Sequence, residues 1–184
     1  MLVLFGLPDR VFGSVRDERG ASVDATKGYG DEGFIDNAFD AVLYYDRRLK
    51  GVETPKRGMV VMLSASTASL CERQTRFVVR GTKAGWEKWG LDLQEDQTKA
   101  GMGVGEEGFG VEREREWGVL TTPEGSKKVG GEKGWYRGFF ENVVEALEGR
   151  SEIQVKASQA ADVVRVLELL GKSEKEGRVL EVPR

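Results

Sequence analysis

The side chains that enzymes usually recruit for chemistry are scarce here, and those present lack their customary helpers. Among 184 residues there is no histidine and a single cysteine, Cys71. Ser64, Ser66 and Ser69 therefore have no imidazole to activate them as nucleophiles, and they read as polar residues of a strand and its end. Cys71 has no partner for an intrachain disulfide and no imidazole with which to share a metal. Asp92, Glu95 and Asp96 are carboxylates of the kind that bind a divalent cation or act as an acid–base pair, but no further ligands follow at ordered spacing. A solvated turn or helix start is the expected outcome. No catalytic residue and no metal ligand is assigned.

Two further groups could touch a ligand. Gly103-Val-Gly105-Glu-Glu-Gly108 matches G-x-G-x-x-G, which binds dinucleotides by ending a strand tightly and aiming a helix N-terminus at pyrophosphate. No apolar strand precedes it, no amphipathic helix follows, and Glu106 and Glu107 would set negative charge against phosphate, so a glycine loop without cofactor is expected. Tyr136 and Arg137 stand at the mouth of a long helix, where a phenol and a guanidinium can hold an anionic or polyhydroxylated molecule. With Trp89 they are the residues expected to face a substrate, against the plainer reading of a packed tyrosine beside a solvated arginine.

The elements that would position these groups follow from periodicity. Val11–Arg19, Ala41–Arg48, Met59–Ala68, Arg76–Arg80 and Gly85–Gly90 read as strands, with 51–58 linking the second to the third. Met59, Val61 and Leu63 face one way and Val60 and Met62 the other, which predicts a strand buried on both faces. The glycine-containing loop Gly81–Ala84 makes the next two strands adjacent and antiparallel. Val111–Trp117, if extended, puts Glu112, Glu114 and Glu116 on one side and Arg113 and Arg115 on the other, a solvated salt-laced surface or a docking strip for a charged partner. Val119–Thr122 adds a strand, with 123–125 as its turn. Helical spacing takes over at Trp135–Glu148, where Phe139, Phe140, Val143, Val144 and Leu147 form one stripe, closed by Gly149. Ser158 is the expected cap of a second helix burying Ala160, Val163, Val164, Leu167 and Leu170, and 178–182 reads as a last strand. The order of elements predicts an α+β fold: a mainly antiparallel open sheet with helices packed on one face, as a single domain over 1–184.

Composition narrows the partners. A net charge of −3 and a pI near 5.3 leave no basic footprint for nucleic acid. Met1–Leu7 is too short to span a bilayer and lacks the flanks of a signal peptide, so a cytoplasmic protein without a membrane anchor is expected. Met1–Phe5 followed by Gly6 and Pro8 reads as the last turn of a helix with a left-handed glycine cap. Such a helix has an end but no beginning, which suggests a chain that starts inside a larger ancestral domain.

RFVVRGTKAGWEKWGLDLQEDQTKAGM at Arg76–Met102 resembles the C-terminal domain of the glucose-fructose oxidoreductase / inositol dehydrogenase (Gfo/Idh/MocA) family, with Leu93 standing where the scyllo-inositol-dehydrogenase-like subgroup has proline. FGLPDRVFG at Phe5–Gly13, the stretch Phe39–Tyr45, WYRGFFENVVEAL at Trp135–Leu147 and the helix Ser158–Leu170 extend the likeness along the chain. The resemblance implies an NAD(P)-dependent oxidoreductase acting on a sugar, polyol or similar small molecule. It also implies a separate Rossmann half carrying the NAD or NADP site, a lysine in an E-K-P motif, and an aspartate and histidine spaced D-x-x-x-H, none of which can be placed in this sequence. On that reading no cofactor binds this chain alone and it is inactive in isolation. The open sheet face would cover the substrate cleft and join two subunits as a homodimer. The competing expectation is a non-catalytic oligomerisation or regulatory module that kept the sheet.

Overall fold

A computed structural model describes residues 1–18, 37–46, 58–71 and 74–183. The expected strand extensions to Arg19 and through 47–48, and most of the link 51–58, lie outside the described residues. Chain contacts divide the molecule into two compact units, 1–70 with 155–184, and 71–154.

In the first unit, α1 (Leu2–Phe5), β1 (Arg10–Arg16), β2 (Ala38–Tyr45), β3 (Met59–Ser66), α4 (Ala157–Glu176) and β8 (Leu180–Glu181) build an antiparallel sheet ordered β3-β2-β1-β8 with α4 laid across it. Its core joins Val11, Ala41, Leu43 and Tyr45 of the sheet to Val166 and Leu170 of the helix and to Leu180 and Val182. The helix passes close over β1. A Cβ placed on Gly13 would stand 2.9 Å from Leu170 Cβ, and the buried Ser173 hydroxyl donates to the Arg178 carbonyl at 2.6 Å while accepting the Gly13 amide at 3.2 Å.

Four expectations for this unit are corrected. β3 is an edge strand supported on one face, so Met59, Val61 and Leu63 pack partly inward while Val60 and Met62 lie open, Met62 at 79% exposure. Helix α4 starts earlier than Ser158: Lys156 is the N-cap, and its amide donates to the Gln159 side-chain oxygen at 2.8 Å. Its buried face is Val166, Leu170 and Ser173, and of the five residues expected there only Leu170 is buried. The others form a second apolar stripe roughly 100° around the helix, by the ~100° turn per residue. Gly6 does end α1, with φ 71° and ψ −164°, a glycine conformation different from the left-handed cap foreseen.

In the second unit, β4 (Thr75–Arg80), β5 (Gly85–Trp89), β6 (Gly118–Thr122) and β7 (Gly125–Val129) form an antiparallel meander in chain order, with α2 (Gln94–Lys99) and α3 (Tyr136–Leu147) outside it. Two antiparallel open sheets with helices make the fold α+β. β7 continues the meander after a turn at 123–124, one residue shorter than expected, and its all-exposed GSKKV left no periodic signal to read. Val111–Trp117 is not an extended strip: Glu114–Glu116 close a short 3-10 turn. The stripe expected on α3 is real in spacing, but Phe139, Phe140, Val144 and Leu147 are exposed, while Asn142 is the buried residue of the helix. Asn142 donates to the Ser151 hydroxyl and the Glu152 carbonyl and accepts the Gln154 amide at 2.9 Å, tying the segment after α3 back to it. Among the described residues no helix is long and apolar enough to cross a membrane.

Candidate functional site

The second unit is organised around buried polar groups as much as around apolar ones. Beside Phe109, its most sequestered side chains are Gln94, at 1% exposure, Lys88 and Asn142. Each must find its hydrogen-bond partners inside the protein, because an unmet buried donor or acceptor costs about 1–3 kcal/mol.

Gln94 occupies the first position of α2, directly after the turn that leaves β5. Asp92 shapes that turn: its Oδ1 accepts the Gln94 amide at 2.8 Å, and its two oxygens accept the Gln94 side-chain Nε2 at 3.1 and 3.2 Å. The other end of the same side chain, Oε1, accepts the backbone amide of Tyr136 at 2.8 Å, the first residue of α3. One turn further along α2, Gln97 repeats the pattern against the loop, accepting the Gly110 amide at 2.7 Å and donating to the Gly108 carbonyl at 3.1 Å. The loop then meets the approach to α3 backbone to backbone, Gly134 amide to Gly110 carbonyl at 2.8 Å. A Cβ on Gly134 would lie 2.4 Å from Gln94 Nε2, and one on Gly110 2.2 Å from the Gly134 carbonyl oxygen, so both glycines are required by close approach.

These contacts locate the residues singled out for a ligand. Tyr136 opens α3 and is half exposed. Arg137 follows it and turns along the helix to pair with Glu141 at 2.8 Å, with its guanidinium carbon 6.0 Å from the centre of the Trp135 ring. Glu141 also accepts the Trp135 indole N–H at 3.0 Å, and the Lys133 ammonium stands 5.2 Å from the same ring. Trp89 ends β5, three residues before Asp92, and is partly buried. The Asp92–Gln94 hydrogen bonds thus tie the turn after β5 to the start of α3. Tyr136 and Arg137, being consecutive on a helix, do not share a face. Gln94, Trp135 and Glu141 were not read as site residues, and the available signal was the amide of Gln94 in a run otherwise read only for its carboxylates.

The carboxylates take structural roles. Glu95 and Asp96 lie in the first turn of α2, where they suit the helix dipole, and Glu95 pairs with Lys99 at 2.7 Å. No group of three potential metal ligands occurs among the described residues. Residues 103–108 form successive turns in which the Glu106 carboxylate accepts the Gly103 amide at 2.7 Å, so the segment closes on itself with an acid where a phosphate would have to sit. Glu112, expected at a solvated surface, is instead drawn inward with Lys88, and Glu116 is held by Arg113 and Arg115, which lower its carboxyl to about 2 through hydrogen bonds that outweigh the opposing effect of burial. Ser64 hydrogen-bonds the Asp40 carboxylate and helps Arg16 hold it below the usual range, and Ser66 donates to Glu18.

Comparison with known proteins agrees with this architecture. The model of the oxidoreductase family's C-terminal α/β domain matches residues 51–182. An uncharacterized oxidoreductase of Schizosaccharomyces pombe is 32% identical over 151 residues, covering 76% of this chain and 39% of the relative. The Bacillus subtilis scyllo-inositol 2-dehydrogenase (NADP(+)) IolW is 28% identical over 109 residues, 57% of this chain and 30% of that protein. Among solved structures, an oxidoreductase of Bacteroides fragilis superposes with a TM-score of 0.79 at 27% identity, over 98% of this chain and 49% of its own. The Bacillus subtilis oxidoreductase yvaA gives a TM-score of 0.81 at 22% identity, over 99% and 49%, a likeness of fold. The chain spans less than half the length of these curated relatives and about half that of the solved structures. With the family model covering most of the sequence, the chain belongs to the Gfo/Idh/MocA oxidoreductase family, whose C-terminal α/β domain it carries.

Proposed function

We propose that this chain is the substrate-side and dimerisation domain of an NAD(P)-dependent oxidoreductase acting on a neutral sugar, polyol or similar small molecule. It works with a Rossmann domain that holds the nicotinamide and supplies the proton-relay residues, and the pair acts in the cytoplasm. The observation that carries the choice of a neutral substrate is the Arg137–Glu141 pair at 2.8 Å: the arginine's charge is already compensated and the Trp135 indole N–H is given to the same carboxylate, so the start of α3 can offer hydroxyl groups the half-exposed Tyr136 phenol and the remaining lone pairs of Glu141. The similarity to a dehydrogenase of an inositol supports the same class. The task of this half is to orient the substrate carbon toward a hydride acceptor that the other half positions.

The test is a fusion in which the full chain replaces the matching part of the Bacillus subtilis inositol dehydrogenase, assayed by nicotinamide absorbance with a panel of polyols and sugar acids. Turnover of a neutral polyol that falls when Tyr136 or Arg137 is replaced supports the proposal; a folded fusion that binds NADPH and turns over only sugar acids, or nothing, overturns it. The open faces carrying Val60 and Met62 and, in the second unit, Val78 and Val79 are apolar surface of the kind that marks interfaces, and they support a homodimer. Light scattering at micromolar concentration that finds only monomer counts against that part. The alternative, a non-catalytic oligomerisation or regulatory module, is favoured if the chain dimerises yet the fusion is inert.

A further inference from the structure

We infer that Gln94 is a positioning residue: a hydrogen-bond relay from Asp92 through the Gln94 amide sets the first turn of α3, and with it Tyr136 and Arg137. The inference rests on the reading above that these side chains face the substrate, but its physical content stands apart from any substrate.

The relay has a direction imposed by chemistry. An ionised carboxylate only accepts hydrogen bonds, so Asp92 must draw the NH2 end of the Gln94 amide, at 3.1 and 3.2 Å. The carbonyl end is thereby left to point the other way, where it accepts the Tyr136 amide at 2.8 Å. That amide is one of the donors left without an intrahelical partner at a helix start. The Trp135 side chain offers no acceptor, so the cap that α3 lacks locally is delivered by a residue 42 positions earlier. At 1% exposure, Gln94 has no water with which to replace either contact, and the missing Cβ of Gly134 is what allows it to sit there. Asp92 is the charged group facing the Gln94 amide; Glu95 and Asp96 follow on α2, and Arg137 on α3 is engaged with Glu141.

The full chain, labelled for NMR, supplies the test through amide hydrogen exchange. Gln94→Ala should lower the protection factor of the Tyr136 amide about tenfold, the worth of one hydrogen bond, while amides of β5 and β6 hold. Gln94→Glu is the sharper variant. It keeps the oxygen that faces Tyr136 but sets a second carboxyl against Asp92, and two such groups share a proton that is held to higher pH than an ordinary carboxyl holds it. With that proton bound the variant should protect Tyr136 as the parent does; once it is lost, repulsion should reduce protection to the level of Gln94→Ala. The parent should show no such step. A folded Gln94→Ala whose Tyr136 protection stays within about twofold of the parent, or a Gln94→Glu that tracks the parent at every pH, overturns the inference. If the relay passes while replacing Tyr136 and Arg137 leaves polyol turnover of the fusion untouched, the substrate reading fails and the positioning role stands.

Discussion

The Lys88 ammonium lies 2.6 and 2.7 Å from the two carboxylate oxygens of Glu112, with side-chain exposures of 9% and 14%, and donates as well to the Glu116 carbonyl at 3.0 Å. Glu112 in turn accepts the Gly131 amide at 3.2 Å. The pair joins β5 to the segments that precede β6 and follow β7, so breaking it leaves one charge buried without its counterpart. Lys88→Met should destabilise the second unit by about 3–5 kcal/mol, and Lys88→Met combined with Glu112→Leu should recover much of that loss, because the stranded carboxylate goes with it. Urea unfolding of the single and double variants checks both; equal stability of Lys88→Met and the parent would show that the pair is solvated.

Glu116 is held well below the usual carboxylate range. Arg113 at 2.6 Å and Arg115 at 2.7 Å hold its carboxyl down at about 2, against an ordinary value of 4.5. A carboxyl with a folded-state pKa below its unfolded one stabilises the fold above the unfolded value, and that contribution is lost as pH falls through the folded one. The parent should therefore lose stability between about pH 4.5 and 2 in part through this group, and Glu116→Gln should flatten that limb while being less stable at neutral pH. Thermal melts at half-unit pH intervals provide the comparison.

The strands and helices are legible because apolar periodicity survives in sequence: β3 and α3 begin within a residue of where spacing places them, and β2 overlaps its expected span but begins three residues earlier, at Ala38. What was lost is which apolar face meets a neighbour. On α4, Val163, Val164 and Leu167 repeat as regularly as Val166, Leu170 and Ser173, and the second set wins because Gly13 lets β1 approach Leu170 and because Ser173 can satisfy two backbone groups at once. A serine in a helix carries no hydrophobic signal, and Gln94 escaped notice for the same reason. Its partner at Tyr136 is 42 residues away, and hydrogen bonds of that reach leave no local pattern. Glu112 and Glu116 show the converse, since a charge run reads as solvated until Lys88 and Arg113 are seen to enclose it.

Gly13 gives a direct measure of the helix–sheet approach. A side chain there would meet both the Cβ and the carbonyl oxygen of Leu170 at 2.9 Å, and the carbonyl belongs to a helix that cannot yield alone. Gly13→Ala should cost about 1–3 kcal/mol, the range for overpacking a tight interior. Ser173→Ala should cost a similar amount by a different route, leaving the Gly13 amide and Arg178 carbonyl unmet. The two changes share a neighbourhood, so the double variant should be less harmful than the sum. Chemical denaturation of the set decides it, and strict additivity would show that helix and strand do not couple at this point.

Tyr45 is the fastening of α1. One helical turn does not sustain itself, because nucleation costs more than its few hydrogen bonds return. Here the Tyr45 hydroxyl donates to the Gly6 carbonyl at 3.1 Å and its ring meets Phe5 edge-on at 5.9 Å. Burial, reinforced by the charge of Asp9, pushes the phenol up to about 12 from 10.0. Because the neutral form is favoured in the folded state, this contribution is whole below pH 10 and lost as pH rises through about 12. Tyr45→Phe should keep the ring contact, lose about 0.5–1.5 kcal/mol with the hydrogen bond, and remove the latest phenolate transition from an alkaline absorbance titration. Amide exchange at Phe5 and Gly6 should quicken in the same variant; unchanged exchange there would mean that α1 is held by its apolar contacts alone.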